Sequence, residues 1–185
     1  FTPQLQNNQE IEVIKTSMGI YFDLLTDDTK TIILTAVRQF FEIGKKPNTD
    51  YAGISMMVSK AVEREMNYLI FKKWIKIARE KFPKKDLERI NDELLRGNMS
   101  NFDSTLLQVL LKKRRTDLGT IRYLLLTAGR ERARIKNKVE VHFLNFLGEF
   151  SDFEWLVSDN TADKIRDIYT RYRNGGVHEH VVTYD

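Results

Sequence analysis

Near its C-terminal end the chain reads Arg171-Tyr-Arg-Asn-Gly-Gly-Val-His-Glu-His180. Within one short stretch, Arg173, Asn174 and His178 supply the groups needed to cut RNA without a metal. An imidazole titrates near neutral pH, so His178 can take the proton of a ribose 2′-OH. The planar guanidinium of Arg173 can hold a phosphate and stabilise charge that builds on its oxygens. Gly175 and Gly176 allow a sharp turn and a close approach of phosphate to backbone. The same residues also fit a plainer description, a glycine-ended helix with incidental polar groups. Spacing alone does not separate the two.

The other chemistry-bearing residues offer less. His180 is a second histidine at longer spacing from Arg173, and as a tail residue it ranks behind His178. His142 lies between Val139, Phe143 and Phe146 on an apolar stripe, which marks a satisfied core or edge histidine. Glu65, four residues after Ala61, flanks a buried stripe where an ionised carboxylate needs a partner. For Glu63 and Glu65 the plain expectation is exposed pairing with Lys60 or Arg64. Three histidines and no cysteine leave little for a metal shell, and His178, Glu179 and His180 lack helical ligand spacing. We expect no metal and no cofactor. Gly175-Gly176 has no following lysine, so it is not a phosphate-binding loop.

The elements that must position this stretch read as helices almost throughout. Ile32, Ile33, Ala36, Val37, Phe40 and Phe41 form an apolar stripe, with Asp27 or Asp28 as its cap and Gly44 and Pro47 as its end. A long helix is expected over residues 50–82, with Ile54, Val58, Ala61, Val62 and Leu69 inward and Pro83 as the stop. A short helix follows over 84–96, closed by Gly97. Leu106, Leu107, Leu110 and Leu111 mark the next, after an Asn/Ser/Asp-rich loop. Ile135, Val139, Phe143, Phe146, Leu147 and Phe150 mark another. The last is capped by Asn160 and places Ile165, Ile168, Tyr169 and Tyr172 inward. Arg173 falls about 80° from Ile165 on the helical wheel, at the edge of that stripe. The tryptophans, Trp74 and Trp155, sit on helical stripes and read as core. No strand alternation persists, so the fold class is all-α, a helical bundle.

Composition fits this frame. The 185 residues, 42% hydrophobic, suffice for one core, and a single domain over 1–185 is the default. The chain begins at Phe1, so we expect a piece of a longer protein, with residues 1–27 as an N-terminal extension. No apolar run approaches the roughly 20 residues that span a bilayer, so no membrane partner is expected. The lack of cysteine excludes disulfides and a thiol nucleophile, and it fits the cytoplasm as location. The net charge of +4 is mild. Its distribution says more: Lys112 to Arg115, Arg130 to Lys138, and Arg166, Arg171 and Arg173 all lie in the C-terminal half. Arg166 and Arg171 are the expected RNA contacts.

Arg173 and His178 with four residues between them, and a polar residue directly after the arginine, resemble the signature of HEPN domains. The stretch Asp50-Tyr-Ala-Gly-Ile-Ser-Met-Met-Val-Ser-Lys-Ala-Val-Glu-Arg-Glu65 is similar to an early long helix of several such families. Residues 72–160 carry no matching position. The resemblance implies a HEPN-like bundle and a metal-independent endoribonuclease leaving 2′,3′-cyclic phosphate and 5′-OH ends. It implies His178 as base, Arg173 on the phosphorane, Asn174 as positioning group, and Glu63 or Glu65 orienting Arg173. It further implies a homodimer with a composite site, a toxin or antiviral defence role, and a sensor or regulatory domain in the parent chain. HEPN-like modules that only dimerise or bind nucleotide or RNA form the alternative, and a helical protein-interaction scaffold is a third reading.

Overall fold

The computed structural model describes residues 3–44, 50–96, 100–112, 116–130 and 137–170, excepting the side chains of residues 3–10, 94–96 and 112. The described residues are helical with turns between and contain no strand, so the chain is all-α. It divides into two compact units. The first comprises Phe1–Glu65 with Asp167–Asp185, and the second Met66–Arg166.

In the first unit, α1 (Pro3–Met18) leads to α2 (Tyr21–Leu24) and α3 (Asp27–Ile43), and α1 packs on both. Gly19 takes a positive φ of 57°, and its N–H donates to the Lys15 carbonyl at 2.8 Å, so the helix ends in a left-handed turn. The cap of α3 is Thr26, not Asp27 or Asp28, because its extended backbone turns Oγ1 onto the Thr29 N–H. Both aspartates sit in the first turn instead, where they face the positive end of the helix. Gly44, at φ 69°, ends α3 as the sequence leads one to expect. The Tyr51 hydroxyl donates to the Gly44 carbonyl at 2.6 Å, and the Tyr51 ring lies 5.7 Å from that of Phe40. Asp50 Oδ1 then accepts the Ala52 N–H at 2.8 Å at the start of α4 (Ala52–Met66).

The residues expected to form one helix over 50–82 are helical without a gap from Ala52 to Lys81, but not α-helical throughout. After α4 comes a π-helical stretch, Asn67–Lys72, and then α5 (Lys73–Lys81). A π turn holds more residues than an α turn, so the inward positions slip by about one residue. Hence Ile70 is buried at 3% exposure while Leu69, expected inward, is 37% exposed. Val58 and Phe41 are exposed as well, against expectation. On α4 the buried positions are filled by the small Ala52, Ser59 and Ala61 and by Glu65, and Val58 falls off that face.

The second unit is built around α7 (Asn101–Lys112), which packs against α5, α6 (Lys84–Arg96), α8 (Leu118–Arg130) and α9 (Lys138–Gly148). Trp74, Phe71, Phe143, Leu106, Leu124 and Leu147 are among its fully buried side chains. The Phe143 ring sits 4.8 Å from that of Trp74 and 6.0 Å from that of Phe71, so one phenylalanine of α9 links the aromatic core. Pro83 follows the end of α5, as its missing N–H requires. The Asn/Ser/Asp-rich stretch read as a loop opens α7 instead. The Ser100 hydroxyl accepts the Asp103 N–H at 3.1 Å and donates to its carboxylate at 2.8 Å. Asn137 closes a full capping box with Glu140 at the start of α9. The unit closes with α10 (Phe153–Leu156) and α11 (Asp159–Asp167), whose last residue falls to the first unit.

Candidate functional site

Arg171, Arg173, Asn174, His178 and His180 lie outside the described residues. What the structure describes is the scaffold that leads to them. The cap of α11 is Ser158 in place of Asn160. Its Oγ accepts the Thr161 N–H at 3.2 Å and donates to the Trp155 carbonyl at 2.7 Å. The Thr161 hydroxyl donates to the same carbonyl at 2.6 Å, so α10 and α11 are fastened at one atom. Arg122 of α8 adds a bond from Nε to the Ala162 carbonyl at 3.1 Å. Ile165 is buried, and Arg166 reaches back to Asp163 at 3.2 Å on an exposed face. Residues 168–170 form a π turn in which Ile168 and Tyr169 are half-buried. The motif therefore follows directly on a helix whose start is firmly fixed.

Trp155 corrects another expectation. It is 53% exposed, while Phe153 of the same short helix is buried. The Lys164 ammonium stands 5.8 Å from its ring centre, a cation over an aromatic face.

The two supporting glutamates differ in setting. Glu65 is buried, and its carboxylate is engaged by Thr26: Oε2 accepts the hydroxyl at 2.8 Å and the N–H at 3.3 Å. That pair joins α4 to the cap of α3 and supplies the partner which burial demands. Glu63 is half-buried on the same helix. Arg64 pairs with Asp28 of α3, not with a glutamate of its own helix.

The second unit holds a polar arrangement with defined geometry around His142. The fully buried Trp74 donates its indole N–H to His142 Nδ1 at 3.2 Å. An acceptor role for Nδ1 places the ring proton on Nε2 and requires a neutral imidazole. Burial holds the His142 pKa below its ordinary value of 6.5, the Lys81 ammonium lowers it further, and Glu149 acts in the opposite direction. The Phe82 ring meets the imidazole edge-on, with centres 5.4 Å apart. Lys81, Phe82, Asn137, Lys138, Val141, His142 and Asn145 line a pocket of about 320 Å³. The sequence marked His142 as a satisfied histidine, which agrees with its bond to Trp74. The pocket was not legible, because it depends on how α5 packs against α9.

Asn67 is a further residue that sequence reasoning passed over. Buried at the start of the π stretch, it clamps the backbone of Thr116. Its amide nitrogen donates to the Thr116 carbonyl at 2.6 Å. Its oxygen accepts the Thr116 N–H at 3.2 Å and hydroxyl at 2.7 Å. The partners lie 49 residues apart in sequence, so no local pattern announces them.

Among the described residues no cluster of three or more histidine, aspartate or glutamate side chains is placed to hold a metal ion. Among them, too, no helix is long and apolar enough to cross a membrane. Comparison with family models, curated proteins and solved structures returned no match.

Proposed function

We propose that the chain is a metal-independent endoribonuclease of HEPN-like type. The observation that carries this reading is the Arg173-Asn174 pair followed by His178, C-terminal in sequence to α11 of an all-α chain. His178 removes the proton from a ribose 2′-OH, and the freed oxygen attacks the adjacent phosphorus. Arg173 stabilises the crowded, negatively charged phosphorane, and Asn174 positions the phosphate or the guanidinium. The P–O5′ bond then breaks, leaving a 2′,3′-cyclic phosphate on one product and a 5′-oxygen that must be protonated. One histidine cannot serve as base and acid in the same step. A twofold homodimer brings in a second His178 as the acid, so the active unit is a dimer with a composite site. Arg166 and Arg171 hold flanking phosphates of the RNA. The biological role that goes with such chemistry is growth arrest or antiviral defence in the cytoplasm.

The test is incubation of the purified protein with single-stranded RNA and tRNA in EDTA, beside Arg173→Ala and His178→Ala. Cleavage by the unaltered protein, lowered about 100-fold or more in each variant, is the expected result. RNA binding that survives His178→Ala, with no cleavage by any form, would replace this reading with a non-catalytic binding module.

A further inference from the structure

The pocket between the end of α5 and the first turns of α9 has a one-sided chemistry. Among the described residues its charged lining consists of two ammonium groups, Lys81 and Lys138, both exposed, and no carboxylate; Glu149 acts on His142 from outside the lining. Among the described residues neither lysine is held in an ion pair. The neutral polar groups are His142 and the amides of Asn145 and Asn137. Nδ1 of His142 is taken by the buried indole of Trp74, so Nε2 carries the proton and points away from that bond as a donor. Trp74 is itself locked against Phe143, which fixes the imidazole plane and hence the direction of the donor. Asn137 is spent elsewhere: its oxygen caps α9 and its nitrogen donates to Asp103. Phe82 and Val141 supply apolar wall.

We infer that this pocket binds a small phosphomonoester, the phosphate on Lys81, Lys138 and the His142 Nε2–H, and the organic part against Phe82 and Val141. Two cations with the neutral donors of His142 and Asn145 match a dianion with three acceptor oxygens better than a carboxylate, which offers two. The volume, about 320 Å³, suits a ligand of that size. Every residue invoked lies between Trp74 and Asn145, so the inference stands apart from the ribonuclease reading and survives its failure.

The experiment is a titration of the whole chain with phenyl phosphate, inorganic phosphate and phenol, followed by calorimetry and by the ¹⁵N resonance of His142 Nε2. Phenyl phosphate is expected to bind more tightly than inorganic phosphate, phenol not to bind, and the His142 resonance to move with saturation. Lys81→Met and Lys138→Met, both at exposed positions, should each weaken phenyl phosphate about tenfold, the loss of one charge-assisted contact. His142→Asn keeps an acceptor for Trp74, but its amide N–H does not reach the place of Nε2–H, so it should weaken binding as well. Lys84→Met, outside the pocket, should leave it unchanged. Equal losses in Lys84→Met and Lys81→Met would show diffuse attraction to surface charge and overturn the assignment. So would phenyl phosphate binding no tighter than phosphate, or no saturable binding of either.

Discussion

Asn67 and His142 show how much a single side chain does in the second unit. The Asn67 amide matches the donor and acceptor of one peptide, so both polar groups of Thr116 stay satisfied in a buried place. Asn67→Asp keeps the shape but sets a carboxylate oxygen against the Thr116 carbonyl. We expect a loss of about 2–4 kcal/mol in chemical denaturation, because a buried acceptor loses its donor and a charge is buried with it. A loss under about 0.5 kcal/mol, the usual range for surface changes, would show the clamp to be idle. His142 gives a pH prediction. Its pKa in the folded chain lies below that of the unfolded chain, so folding is favoured most above about pH 6.5. That contribution is lost as pH falls through the folded value, since the unfolded chain takes up the proton first. Melting temperature should therefore fall between pH 7.5 and 5.0 by less in His142→Asn, which does not titrate, than in the unaltered protein. An equal fall in both would remove His142 as a source of acid sensitivity. At this scale the sequence carried part of the answer. The apolar neighbours of His142 marked it as satisfied, while the partners of Asn67 and Glu65 are 49 and 39 residues away and left no local trace.

Helix ends and helix crossings decide the next level. Pro83 and Gly44 act through the nearest few residues, so the ends they set are legible from sequence. The π stretch at Asn67–Lys72 is not, because a change of helical pitch depends on what the side chains meet. It moved Leu69 outward and Ile70 inward. The caps of α3 and α11 were off by one or two residues, since Thr26 and Ser158 compete with neighbouring Asp and Asn for the same role. Gly129 on α8 marks a tight crossing that also went unseen. A Cβ there would stand 2.6 Å from the Val157 carbonyl oxygen and 3.1 Å from the Val157 Cβ. Backbone cannot yield as a flexible side-chain end can, so Gly129→Ala should destabilise by about 1–3 kcal/mol despite the better helix propensity of alanine. Gly53→Ala, where a Cβ meets nothing, serves as the control and should be neutral or slightly stabilising. Stabilisation by both would show that α8 has room at Gly129.

For the molecule, the all-α class follows from period and composition, and the described residues bear it out. The division into two units does not announce itself, because the boundary at Glu65–Met66 carries no linker composition. Residues 171–185, which hold the proposed catalytic groups, lie outside the description, so their chemistry rests on residue type and spacing. The proposed composite site would make oligomeric state part of the mechanism. In sedimentation the active species should have twice the mass of the 21.8 kDa chain. Specific activity should fall on dilution below the dimer's dissociation constant, and full activity in a monomer would refute the shared site. The most direct test of the ribonuclease reading uses one RNA oligonucleotide cut at a mapped site, in EDTA, with a twin carrying 2′-deoxyribose 5′ to that bond. The account predicts cleavage of the first with a 2′,3′-cyclic phosphate end by mass spectrometry, and none of the second. Cleavage of the 2′-deoxy twin, or no cleavage of either by a folded dimer, would contradict it.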